Sequence, residues 1–321
     1  IKIGVIAPLT GEAAIYGEPA ANIFKLAMEE INSQGAVNGQ LIELIFEDGK
    51  CNGKEAVKAM QKLINIDQVK VVIGGICSSE ALAAEPIATA NKVFFFSATA
   101  SSPALTDISP FFARNYPSDS YQGTVLAEIA YHGRNMRKIA FLVEQQDYTI
   151  GIFEVFKERF VELGGEVIKE EFVSGTLDFK TPLTKLQSTN PDALFVDVQA
   201  ATAADRIFKE LQELDWEPLL FLSDTVASDS STVEKYLDLL EGALAAVIGS
   251  DEASDAVKKL SKKYQERYGK EMPYYNYSAI EYDSIFLIKE AIEEVGYNPE
   301  NISKWIKSVK DWPGGFRLNY H

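Results

Sequence analysis

Short apolar runs recur along the chain, each breaking into small polar residues ahead of a stretch whose apolar positions return every three or four residues. That rhythm predicts strand, turn and helix in alternation. Residues 1–7 form the first such strand, ending at Pro8, and the loop TGEAAIYGEP after it carries Tyr16. From Ala20 onward, Phe24, Ala27, Met28 and Ile31 mark a helix that stops between Asn32 and Gly35. Asn38 and Gly39 turn the chain into a second strand over 41–46, and Ala56, Met60, Leu63 and Ile64 mark the next helix. Two further strands lie in VVIGGICSSE (71–80) and VFFFSATASSP (93–103), each opening through hydroxyl residues into a helix-compatible segment. Four alternations within the first 117 residues imply a doubly wound parallel sheet.

The polar segment FFARNYPSD (111–119) interrupts this alternation and reads as a crossing into a second domain. After a helix through Leu126 and Ile129, strands are predicted over 139–143, 167–173, 193–198 and 219–222. Helices over 152–163, 183–187 and around Ile207, Phe208 and Leu211 separate them. A last strand-like run, 243–248, leads into Gly249, Ser250 and Asp251, a second crossing. Beyond it the pattern holds three amphipathic helices, 256–268, 279–295 and 302–309. Helices without strands of their own must cover an existing sheet, so they return to the first domain. The predicted fold class is α/β, two doubly wound parallel-sheet lobes joined by a hinge of more than one strand.

A chain of 321 residues, 46% hydrophobic and 24% charged, has ample core for two lobes. With 31 Lys and Arg against 47 Asp and Glu, its formal net charge of −16 repels nucleic acid and anionic membrane surfaces. No apolar run reaches bilayer length, and no basic leader or cleavage site precedes Ile1, which reads as a chain trimmed of a signal peptide. The two histidines, His132 and His321, cannot serve a Ser, His and Asp arrangement, and no phosphate-binding, dinucleotide or zinc-type motif occurs. No catalytic residue, cofactor or metal is therefore expected, and the protein is read as a binder rather than an enzyme.

Both hydroxyl-rich turns would face the carboxyl edge of one sheet, where helix N-termini offer unpaired N–H groups. Ser78, Thr99 and Ser101 add hydroxyls there, and neither 71–80 nor 93–103 contains a Lys or Arg, so neutral donors would hold a small carboxylate. The same residues serve equally as helix caps, Ser102 ahead of Pro103 above all. In the second domain Tyr148, Asp197, Gln199 and Asp224 again fall at or just past strand ends. An acidic lobe opposed to a neutral anion-binding one suits a zwitterion, although Asp224 fits a helix cap as well. Cys51 and Cys77 each follow a strand, and adjacent parallel strands would let them bridge. Two buried thiols are the other reading.

Several segments together resemble the type I periplasmic binding proteins of the leucine/isoleucine/valine-binding class, which serve branched-chain amino-acid ABC transporters. They are IKIGVIAPLTGEAAIYG, MEEINSQGAVNGQLIELIFEDGKC, VVIGGICSSEAL, SATASSPALT, QQDYTIG, DFKTPLTKLQSTNPDALFV and FLSD. The resemblance implies a disulfide between Cys51 and Cys77. It implies that Ser78, Thr99 and Ser101 bind the carboxylate of an amino acid, and that Asp224 and the Thr99 carbonyl bind its ammonium. Tyr148 and Tyr16 would cover the ligand, with Gln199 and Cys77 beside its side chain. Gln199 stands where leucine-binding members place an aromatic, which widens the expected side chain from aliphatic to small or polar. Asp197 either adds to that polar side-chain preference beside Gln199 or, by strand alternation, points to the opposite face. The family pattern gives lobes of 1–118 plus 249–312 and 119–248 plus 313–321, with crossings near 117–120, 247–251 and 312–316. It also implies a monomer outside the cytoplasm, periplasmic or lipid-anchored, closing like a flytrap on its ligand and delivering it to a membrane permease. A sensor or binding protein for an amide, a short-chain acid or an aromatic carboxylic acid is the rival use of the same lobes.

Overall fold

The computed structural model describes residues 1–249, 254–310 and 312. The chain divides into two units, one built from Ile1–Pro117 with the described residues from Gly249 onward, the other from Ser118–Ile248. Chain therefore passes between units after Pro117 and after Ile248. Residues 250–251 of the expected second crossing, the third crossing apart from Trp312, and the segment 313–321 assigned to the second lobe lie outside the described residues.

The first unit carries β1 (Lys2–Ala7), α1 (Ala14–Ser33), β2 (Glu43–Asp48), α2 (Gly53–Asn65), β3 (Val71–Gly74), α3 (Ser78–Ala90), β4 (Phe94–Ser97) and β5 (Phe112–Arg114). Its sheet is wholly parallel, in the order β2-β1-β3-β4-β5. Strands covered on both faces need no alternation, and the central ones, VVIG and FFFS, are buried at every position. Ile6, Val72 and Phe95 pack with Ala56, Met60 and Leu63 of α2 and Ala81, Ala84 and Ala88 of α3 on one face.

Three departures from the sequence reading have local causes. Tyr16 lies in α1 rather than in a loop, because the helix starts at Ala14 despite Gly17 and Pro19. Gly17 fits there because a Cβ would run into the Pro8 carbonyl, and burial of Tyr16, Ala20, Ala21 and Ile23 overrides the proline. Within FFARNYPSD, residues 112–114 form β5, pairing Phe95 with Phe112 and Ser97 with Arg114; three residues are too few to show a period. After β4 the chain makes only a 3-10 turn, Pro103–Leu105, before reaching that strand.

The second unit holds α4 (Asp119–Glu128), which runs on into a π turn at Ile129–Gly133, then β6 (Lys138–Glu144), α5 (Asp147–Glu162) and β7 (Glu166–Phe172). It continues through α6 (Lys180–Ser188), β8 (Ala193–Asp197), α7 (Ala201–Glu213), β9 (Leu220–Leu222), α8 (Asp224–Ala227), α9 (Ser230–Lys235) and β10 (Leu244–Ala245). Its parallel sheet runs β10-β9-β8-β6-β7. Successive β8 residues alternate faces. Leu194 and Val196 join the cluster of α6 and α7, whereas Ala193 and Phe195 join that of α4 and α5. Phe141, Phe156, Phe195 and Phe221 pack ring on ring in the latter, Phe141 and Phe195 with centroids 4.5 Å apart. Truncating any one of them to alanine would cost about 3–5 kcal/mol.

Back in the first unit, α10 (Asp255–Tyr268), α11 (Tyr275–Val295) and α12 (Pro299–Ser308) follow. α11 packs along α1. Glu30 of α1 takes both Lys263 of α10 and Tyr282 of α11.

Candidate functional site

In the first unit the ends of β3 and β4 are laced together by side chains. Gly74 and Gly75 have φ of +124° and +59°, and a Cβ on Gly74 would collide with the Ile6 carbonyl, so only glycine lets the chain tuck against β1. Cys77 caps α3, and its N–H donates to Glu80 Oε2 at 3.2 Å while the Cys51 N–H donates to Oε1 at 2.9 Å. Cys51 and Cys77 are bridged, their Cα atoms 5.3 Å apart. Burial pushes the Glu80 carboxyl up to about 7, against the pull of those two N–H groups.

Across the gap, Ser97 Oγ donates to the Gly75 carbonyl and accepts from the Ala100 N–H, and Thr99 Oγ1 donates to the Ile76 carbonyl at 3.2 Å. Ser102 N–H donates to Ser78 Oγ at 3.1 Å. A hydroxyl that accepts still has its own proton to give, so Ser78 remains a donor. Thr99 has spent its hydroxyl proton, which leaves its backbone for any ligand. Ser101 is buried in the same loop. Arg114 donates to the Ala100 and Ser102 carbonyls and to Thr106 Oγ1, turning the acceptors of this loop toward β5. Above α3 the start of the helix leaves N–H groups with no intrahelical acceptor. The result is a concentration of donors at one sheet edge. Tyr16 is buried in this unit against Tyr274 and Tyr277, with ring centroids 4.9 and 6.3 Å away, and Tyr116 adjoins Tyr277.

The second unit presents the opposite chemistry. β6 ends on Glu144, β8 ends on Asp197, and Asp224 starts α8 just past β9. Because β9, β8 and β6 are neighbours, with Val143 opposite Asp197 and Val196 opposite Leu222, the three acids form a row. All three are buried, as are Asp119 at the start of α4 and Tyr148 in α5. Tyr148 donates its hydroxyl to Asp224 Oδ1, and its phenol is raised well above the usual range by burial and by the Asp224 charge. Glu144 accepts from the Gln199 N–H at 2.9 Å and from Ser174 Oγ.

The structure thus gathers Ser78, Thr99, Ser101 and Cys77 in the first unit, and Tyr148, Gln199 and Asp224 in the second. Sequence reasoning passed over Arg114, Glu80, Asp119, Glu144, Tyr274 and Tyr277. The tyrosines could have been found from the run YYNY at the start of α11; the others had no local signal. Among the described residues no group of three or more His, Cys, Asp or Glu could hold a metal ion, and no helix is long and apolar enough to cross a membrane. A cavity of about 500 Å³ elsewhere in the first unit is lined by Glu30, Lys263, Phe286, Lys289 and Trp312. Its Lys263 and Lys289 are paired with Glu30 and Glu293, and none of the strand-end residues lines it.

The chain is similar to known proteins along most of its length. An amino acid binding protein from Pseudomonas aeruginosa is 25% identical over 313 residues, 96% of this chain and 82% of that protein. A leucine-, isoleucine-, valine-, threonine- and alanine-binding protein from the same organism is 32% identical over 189 residues, 58% of this chain, which spans half the length of that relative. The crystal structure of a leucine binding protein from Thermotoga maritima superimposes with a TM-score of 0.87 at 29% identity, over 98% of this chain and 89% of that one. Residues 1–318 match the family described as periplasmic binding protein. With its two five-stranded parallel sheets and that match along nearly its whole length, the chain belongs to the periplasmic binding protein family.

Proposed function

We propose that the protein captures an amino acid outside the cytoplasm and delivers it to the permease of an ABC transporter. The observation that carries this reading is the contrast between the two units: a donor-rich loop pair without a free acidic group on one, a row of buried acids on the other. Ser78, Ser101 and the backbone N–H groups around Thr99 hold the carboxylate. Asp224 and the Thr99 carbonyl hold the ammonium, Tyr148 and Tyr16 cover the ligand, and Gln199 with Cys77 borders its side chain. A charge-assisted hydrogen bond to each end is worth roughly twice a neutral one, so both ends are recognised strongly while the side chain selects among amino acids. The named relatives, an amino acid binding protein and a leucine-binding one, support the same ligand class. No reactive group calls for turnover, and the chain acts as a binder.

The test is a thermal-shift screen against the twenty L-amino acids with matched des-amino acids and amides. A ligand at 100-fold excess over Kd stabilises by about 2.7 kcal/mol, and a shift of that size confined to a few aliphatic, small or polar amino acids is expected. Shifts with des-amino acids or amides alone would overturn the reading in favour of a carboxylate or amide sensor.

A further inference from the structure

The loop after β4 holds no Lys or Arg of its own, yet the sheet brings a guanidinium against it. β5 pairs with β4 so that Arg114 lies opposite Ser97, the last residue of β4. From there Arg114 Nη1 donates to the Ala100 carbonyl at 3.3 Å and to the Ser102 carbonyl at 2.8 Å, while Nη2 donates to Thr106 Oγ1 at 2.8 Å. One nitrogen thus bridges the two carbonyls that flank Ser101. A trans peptide points its N–H opposite its C=O, and no cis bond occurs among the described residues. With the Ala100 carbonyl held by Arg114, the Ser101 N–H is therefore turned away from β5. The neighbouring N–H groups are already spent, that of Ala100 on Ser97 Oγ and that of Ser102 on Ser78 Oγ, and Pro103 has none. Ser101 is only 3% exposed, and among the described residues neither its N–H nor its hydroxyl has a hydrogen-bond partner. A buried N–H without an acceptor is costly, and an arriving acceptor removes that cost.

We propose that Arg114 is a positioning residue for the ligand's carboxylate: by gripping the carbonyls on either side of Ser101, it fixes the Ser101 N–H as a donor to that carboxylate. This inference rests on the amino-acid reading above. Arg114 acts through the loop and touches no ligand atom. The planar fork suits the task because two of its nitrogens reach three acceptors at once, whereas a lysine ammonium is a single point on a flexible stem. Thr106 Oγ1 holds the fork's other arm and so keeps the guanidinium in register with the two carbonyls.

The experiment combines titration calorimetry with amide NMR of the full chain labelled with 15N-serine, the Ser101 signal being assigned by its absence in Ser101→Ala. The probe is whichever of the twenty L-amino acids gives the largest thermal shift. In the parent, saturation with it should move the Ser101 amide proton downfield, as a new bond to a carboxylate requires. Arg114→Lys should raise Kd about 10- to 100-fold, the loss of a hydrogen bond to a charged group, and should abolish that downfield movement. Thr106→Val, at an exposed position, frees only one arm of the fork and should give a smaller loss, about two- to fivefold, with part of the Ser101 response; it carries the test if Arg114→Lys does not fold. A parent whose Ser101 amide ignores the bound amino acid overturns the inference, whatever the variants do. Unchanged Kd and Ser101 response in the folded variants overturn it too, as does weaker binding with the Ser101 response intact; each leaves the amino-acid reading standing. Absence of amino-acid binding by the parent overturns both.

Discussion

Removing the Cys51–Cys77 bridge should destabilise the first unit and leave the second almost untouched. The bridge spans a sequence separation of 26. In the chain-entropy account a loop of that size withholds about 12 cal/mol/K from the unfolded chain, or roughly 3.5 kcal/mol at 25 °C. Glu80 limits any further loss, since its carboxyl still receives the Cys51 and Cys77 N–H groups after the sulfurs part. For a unit of roughly 190 residues, each kcal/mol moves the midpoint by about 2–4 °C, so a drop of about 7–14 °C is expected. Differential scanning calorimetry of the parent and of a Cys51→Ser/Cys77→Ser variant measures it, with hydrogen exchange assigning the transition. Faster exchange should be confined to the first unit, strongest in the opening turn of α3. A loss below about 1 kcal/mol, or equal loosening of the second unit, would refute the reasoning.

Three further outcomes follow from buried acids and the phenol beside one of them. Asp224→Ala should weaken amino-acid binding by about 2–5 kcal/mol, from tens to thousands of fold in Kd, because it strands a desolvated ammonium. Tyr148→Phe should cost only about 0.5–1.5 kcal/mol, and calorimetry showing less than twofold loss for Asp224→Ala would remove that residue from the site. Glu281, buried in α11, is raised by burial from 4.5 to about 8. The folded unit thus keeps this proton up to about pH 8, while the unfolded chain sheds it from about 4.5; the contribution is whole at low pH and is lost as pH rises between those values. Glu281→Gln locks in the neutral form, so its stability relative to the parent should improve by roughly 4 kcal/mol from pH 5 to 8.5 in urea unfolding. A gap that stays constant with pH would exclude Glu281 as its source.

Strands were legible because buried parallel strands are written as apolar runs, and the hydroxyl turns were legible because they sit directly at the ends of two such runs. What could not be read was adjacency. Asp119, Glu144, Asp197 and Asp224 are scattered over a hundred residues of sequence, and only the strand order β9-β8-β6 turns three of them into a row. Arg114 escaped for the same reason: it lies beyond the stretch searched for cations, yet β5 carries it back to the β4 loop. Thr99 shows a subtler limit, since a sequence offers its hydroxyl but cannot say that the Ile76 carbonyl has already taken the proton. Tyr16 was misplaced because Gly17 and Pro19 are helix breakers in isolation, and long-range burial outweighed them.

The packing of α11 along α1 has a consequence in time. Glu30 meets Lys263 and Tyr282, partners that stand 233 and 252 residues further along the chain. At synthesis rates of about 5–20 residues per second, the first sheet waits roughly 10–50 s for the helices that cover it. Meanwhile the uninterrupted segment Ser118–Ile248 has emerged whole. The half of the protein that is made first is therefore the half that finishes last, and lesions in α11 should act on newborn chains, leaving the early strands open to aggregation before any mature protein exists.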